Sequence, residues 1–155
     1  MAEYALKLGE LRQVLPGVYC AGGAEPIDWL IVVRAACAYL DDAVITGDAA
    51  AALSFMQGRP VPRVEAVHRN PIRATGPVKW RRGWIPPEWI CTAGPIRITH
   101  PAWTAVEICG SGDSGILDNA LRAGVGLDNL WRAFADMPRH RGNKVRRQLL
   151  IDSRD

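Results

Sequence analysis

With 155 residues, 48% of them hydrophobic, the chain is long enough for one domain with a real core, and its composition is not that of a disordered segment. No apolar run approaches the roughly 20 residues of a membrane-spanning helix, and the opening "MAEYALKLGELRQ" lacks the apolar stretch of a secretory signal, so the chain reads as cytoplasmic with no membrane partner. Net charge is +3 but uneven: residues 1–58 hold 3 basic and 7 acidic groups, residues 59–99 hold 8 and 2, and residues 100–155 hold 8 and 7.

In chain order, "LRQVLPGVYCAGG" predicts two short strands around a Pro16-Gly17 turn. Pro26 is expected to open a mostly buried helix through "IDWLIVVRAACAYL". "VITGDAAAALSFMQG" predicts a short strand, a turn and an alanine-rich helix, capped by either Thr46 or Asp48 and ended by Gly58. From "RPVPRVEAVHR" to "GPIRITH", β-branched and aromatic residues alternate with charges between Pro and Gly breaks, as in several antiparallel strands.

Pro101 then opens the helix "AWTAVEIC", with His100 as its cap. "ILDNALRAG" places Ile116, Leu117, Ala120 and Leu121 on one helical face and Gly124 at the stop. "LDNLWRAFADM" predicts another amphipathic helix, and "NKVRRQLLID" a last one with Val145 and Leu149 inward. The fold class is therefore α/β in the α+β sense: a mainly antiparallel sheet flanked by helices, with a helical C-terminal third.

"GSGDSGIL", residues 110–117, contains the tetrapeptide that surrounds the nucleophile of trypsin-like proteases. A nucleophilic serine needs a base, a group to orient that base and donors for the oxyanion. The chain is far too short for two β-barrels, and helices rather than strands flank the motif. Either Asp113 or Ser114 is instead expected to cap the following helix, so Ser114→Ala is expected to cost about 1 kcal/mol of stability.

The four cysteines, Cys20, Cys37, Cys91 and Cys109, are scattered without a CxxC pair, which points to reduced core residues rather than disulfides or a zinc site. His100 and Glu107 are about two helical turns apart, where metal ligands on one helix would be one turn apart. No metal and no cofactor is expected.

"VKWRRGWIPPEW" interleaves Trp80, Trp84 and Trp89 with Lys79, Arg81 and Arg82. Indole faces stack on bases and cations neutralise phosphates, so the mix suits single-stranded nucleic acid. Trp and Arg also dominate protein–protein hot spots, and a hairpin with its tryptophans turned into the core is the third reading. Arg69 and Arg73, in the same basic stretch, join the candidate surface. "RHRGNKVRR" sets Arg139, Arg141, Lys144, Arg146 and Arg147 at a helix start, against its dipole, an arrangement that a phosphate ligand would relieve. The plain alternative for both stretches is a solvated surface.

In their order, "LRQVLPGVYCAGG", "VVRAACAYLDDAVITGDAAAAL", "GPIRITHPAWTAVEIC", "LDNALRAG" and "RGNKVRRQLL" resemble the AbiEi-type antitoxins of type IV toxin–antitoxin systems. The same middle domain occurs in actinobacterial proteins that carry a Vsr-like endonuclease-fold tail. Trp103 stands where that family often has arginine, and Glu107 where it often has aspartate. The resemblance implies that residues 1–24 correspond to the wing end of a winged helix, and residues 25–155 to the antitoxin-like α/β domain with a basic helical C-terminus. The helices that precede the wing, and the endonuclease segment, have no counterpart among these residues. The resemblance further implies a non-enzymatic antitoxin-like or regulatory domain, with DNA, RNA, a toxin or another protein as partner. The alternative is a nuclease or other phosphodiester hydrolase.

Overall fold

The computed structural model describes residues 3, 9, 11–22, 26–73, 76–138 and 142–153. Its first elements are strands β1 (Leu11–Leu15) and β2 (Val18–Ala21), an antiparallel pair turned at Pro16-Gly17 with Gly17 at a φ of 74°. Helix α1 (Trp29–Tyr39) follows. It begins three residues after Pro26, because Asp28 is the cap and accepts from the Leu30 N–H; the proline lies outside the first turn where it was expected.

Strand β3 (Val44–Thr46) leads directly into α2 (Gly47–Ser54). Thr46 occupies the cap position without a side-chain bond, and the helix ends before Gly58, at Phe55. Then come β4 (Val64–His68), β5 (Val78–Arg82), a single 3₁₀ turn (Pro87–Trp89), β6 (Ile90–Ala93) and β7 (Ile96–Thr99).

These five strands form one sheet in the order β5-β4-β3-β7-β6. Pairings β3–β4 and β6–β7 are antiparallel, whereas β3–β7 and β4–β5 are parallel. With the β1–β2 pair, antiparallel pairing leads three to two, but the central sheet is mixed. The sequence could not show this, because strand direction depends on how the intervening helices cross over.

Both sheet faces are covered. Ile45, Val64, Ala66 and Val78 pack with Val14, Leu15 and α1 in one cluster. Val44 and Val67 point the other way, into a larger cluster built on the C-terminal helices. That second layer comprises α3 (Pro101–Cys109), α4 (Gly115–Arg122), α5 (Leu127–Asp136) and α6 (Asn143–Asp152). Trp103, Ile116, Leu117, Leu130 and Leu150 are essentially fully buried there, each aliphatic one stabilising the fold by roughly 1.5–3 kcal/mol.

Several expected local signals hold. His100 caps α3, its Nδ1 accepting from the Ala102 N–H at 3.1 Å, with Pro101 in the first turn. Helix α4 stops as expected at Gly124, where the Val125 and Gly124 N–H groups return to the carbonyls of Ala120 and Leu121. All four cysteines are free thiols, but only Cys37 and Cys109 are core residues as expected, Cys20 and Cys91 being half-buried; burial pushes the Cys109 thiol up to about 11. No helix among the described residues is long and apolar enough to cross a membrane.

Candidate nucleic-acid interface

Strand β5 is an edge of the sheet, and its alternation sorts the basic stretch by face. Val78 is buried, and Trp80 packs beside the Tyr39 ring of α1, with centroids 6.1 Å apart. Trp80 thus follows the core reading of the tryptophans. Lys79 and Arg81 turn to the opposite face, toward α3. Parallel register sets Lys79 beside Glu65 and Arg81 beside Val67. Lys79 Nζ lies 3.3 Å from Glu65 Oε1, and Arg81 Nη2 lies 2.7 Å from Glu107 Oε2 on α3.

Below these pairs opens a cleft of about 520 Å³ lined by Asp48, Arg59, Glu65, Arg81, Glu107 and Arg146. Arg59 bridges two carboxylates, with Nε 2.8 Å from Asp48 and Nη2 3.3 Å from Asp113. Burial alone would lower the Arg59 pKa, but the two carboxylates outweigh it and hold the group above its ordinary value. Gly47 is needed at the cleft floor: its φ is 65°, and the Glu65 carboxylate occupies the place where a Cβ would stand. The wall is therefore a set of acids each matched to a base, from segments that no spacing in the sequence connects.

The "GDSG" segment meets this wall through Arg59, and by a different residue than its spelling suggests. Ser114 sits at the cap position of α4, but its side chain makes no capping bond. Asp113 is the residue with a partner, Arg59. The expected side-chain cap at this helix is therefore corrected.

Helix α6 spans the expected residues but turns a different face inward. Leu150 and Arg146 are buried, Leu149 is half-buried, and Val145 is 41% exposed. Arg146, only 8% exposed, donates through Nε to the Val106 carbonyl at 3.0 Å and through Nη2 to the Glu107 carbonyl at 3.1 Å. It adds a charged donor to the last turn of α3, where the Glu107 carbonyl also accepts the Gly110 N–H and the Val106 carbonyl the Cys109 thiol. Its expected place on an exposed phosphate-binding surface is corrected accordingly. Close approach makes this possible: Gly142, at a φ of 90°, faces the Gly110 backbone, and a Cβ on Gly110 would strike the guanidinium.

The remaining candidates scatter around this centre. Lys144 and Arg147 are exposed on α6, and Arg73 and Arg82 are exposed near β4 and β5; none of these four has a carboxylate partner among the described residues. Arg69 is exposed and lies 3.1 Å from Asp42. Arg139 and Arg141 lie outside the described residues.

Trp84 is 66% exposed. It lines a cleft of about 120 Å³ with Arg81, Arg82, Trp103 and Arg146, and another of about 210 Å³ with His68 and Arg69. His68 itself is a structural pin, with Nε2 2.6 Å from Asp42 and Nδ1 accepting the Asn70 N–H at 3.1 Å. Trp89 is core, donating its indole N–H to Asp136 at 2.7 Å. Trp103 is 2% exposed, and its Nε1–H has no acceptor among the described residues.

Sequence reasoning missed the convergence of Asp48, Arg59, Glu65 and Glu107. The one signal that could have found it is the Gly47-Asp48 pair at a strand-to-helix junction, with Glu65 on the neighbouring strand. Among the described residues, no three His, Cys, Asp or Glu side chains stand close enough to hold a metal ion together. Comparison with protein-family models, with curated proteins and with solved structures gives no match for this chain.

Proposed function

We propose that this protein is a binding domain of the antitoxin-like or regulatory kind that its sequence resembles, and that it holds nucleic acid through the surface shared by β5 and α6. One observation carries the reading. The two basic stretches, far apart in sequence, are brought side by side: Arg81 of β5 and the buried, structural Arg146 of α6 line the walls of the same two clefts. Arg82 and the exposed Trp84 line the smaller cleft, Lys144 and Arg147 are exposed on α6, and none of these three cations has a carboxylate partner among the described residues. Unpaired cations gathered on one surface repel one another, and a run of phosphates relieves that repulsion while releasing counterions. The test is a salt titration of binding to duplex DNA, single-stranded DNA and RNA. Binding whose logarithm falls linearly with log salt supports the reading. If none binds at low salt, the basic surface serves a protein partner.

A second reading, a phosphodiester hydrolase, is favoured by one feature: Asp48, Glu65 and Glu107 line a single cleft. Each already faces a cation, in Arg59, Lys79 and Arg81 respectively, which is why binding is preferred. Magnesium-dependent cleavage of oligonucleotides, lost in Glu65→Gln, would establish the second reading instead.

A further inference from the structure

The smaller cleft beside Trp84 combines three properties that one ligand chemistry explains. Its walls join apolar side chains, Trp84, Ile85 and Met137 among them, to the charged Arg81, Arg82, Glu107 and Arg146, and its volume of about 120 Å³ is well below that of a site for a drug-sized molecule. Trp103, in the same wall, carries a buried indole N–H that no described acceptor meets, although buried donors are nearly always paired. Arg81 and Arg82 stand at the cleft as cations.

We propose that this cleft is a slot for one unpaired nucleobase, so that the ligand is a single strand of DNA or RNA. The inference rests on the nucleic-acid reading above and narrows it. The base lies against the Trp84 face, an acceptor on its edge takes the Trp103 Nε1–H, and the adjoining phosphates meet Arg82 and Arg81. Each of the bases carries ring-edge acceptors, so the slot tolerates any sequence. A strand crossing Trp84 reaches the second cleft that this ring lines, where the next phosphate would compete with Asp42 for Arg69. Bases in a duplex are stacked and paired, and cannot enter.

The experiment follows the Trp84 and Trp103 indole N–H resonances of the ¹⁵N-labelled protein on addition of short homopolymeric single strands, a hairpin duplex and an acidic peptide. Single strands should shift both resonances, and the duplex neither. Trp84→Ala, at an exposed position that folding does not depend on, should weaken single-strand binding about tenfold or more and leave duplex binding unchanged. If single strands bind while the Trp103 resonance stays still, or if duplex binds equally well and Trp84→Ala has no effect, the slot is disproved and the wider reading stands. If no nucleic acid binds at low salt, both fail. If only the acidic peptide moves the Trp103 signal, the slot belongs to a protein partner and the proposal is overturned.

Discussion

Arg81 and Glu107 meet at 2.7 Å, joining the edge strand of the sheet to the helix that packs beneath it. Arg81 is 49% exposed although Glu107 is only 15% exposed, so solvent screens the pair from the Arg81 side and holds its worth to about 1 kcal/mol. A phosphate can therefore take Glu107's place at small cost. Glu107→Gln should tighten nucleic-acid binding severalfold at low salt and steepen the slope of log K against log salt by roughly 0.7–0.9. An unchanged slope in a salt titration would remove Arg81 from the interface.

Arg146 should behave as a structural residue. Arg146→Ala leaves the Val106 and Glu107 carbonyls without their charged donor, and is expected to cost about 2–3 kcal/mol in urea unfolding. Arg147→Ala, on the exposed side of the same helix, should stay within about 0.5 kcal/mol. Equal effects for the two variants would contradict the assignment.

Ser114→Ala should be nearly silent, below about 0.5 kcal/mol, because the hydroxyl makes no capping bond. Asp113→Ala removes a partner of Arg59 and should cost more than Ser114→Ala in the same unfolding assay. Loss of a hydrolytic activity in Ser114→Ala, with the fold intact, would restore the nucleophile reading.

The pH dependence of stability has a source in His100. Burial lowers its pKa below the ordinary 6.5, and its neutral Nδ1 accepts the capping bond of α3. Between the folded and unfolded pKa values the unfolded chain holds the extra proton, so stability rises with pH. This contribution is whole above about 6.5 and declines as pH falls from there toward the folded pKa. His100→Asn keeps a good cap without a titrating group. Denaturation midpoints of the variant should lose that part of the pH dependence; an identical profile would place its origin elsewhere.

Much of the fold was legible because local signals and tertiary packing agree. Pro101 with His100, Gly124, and the Ile116-Leu117-Ala120 stripe each specify a boundary or a face that neighbours then reinforce. Where the sequence misled, a tertiary partner overrode the pattern. On α6, Val145 looks like the inward residue, yet Arg146 takes that direction, where its guanidinium donates to two α3 carbonyls. Ser114 looks like a cap but makes no capping bond, and the neighbouring Asp113 pairs with Arg59 instead. The site was legible only in part: composition exposed the basic stretches and Trp84, whereas the Asp48-Arg59-Glu65 wall exists only once β3 and β4 pair.

The central claim is that β5 and α6 form one nucleic-acid surface, and the most direct test is a double-mutant comparison of the salt slope for single-strand binding. Arg82→Ala and Arg147→Ala each remove one exposed cation, from different elements and without breaking an ion pair among the described residues. The account predicts that each lowers the slope by roughly 0.7, that each weakens binding to all sequences alike, and that the double variant lowers it by the sum. A slope that responds to only one of the two substitutions, or no binding of any strand at low salt, would contradict a shared surface.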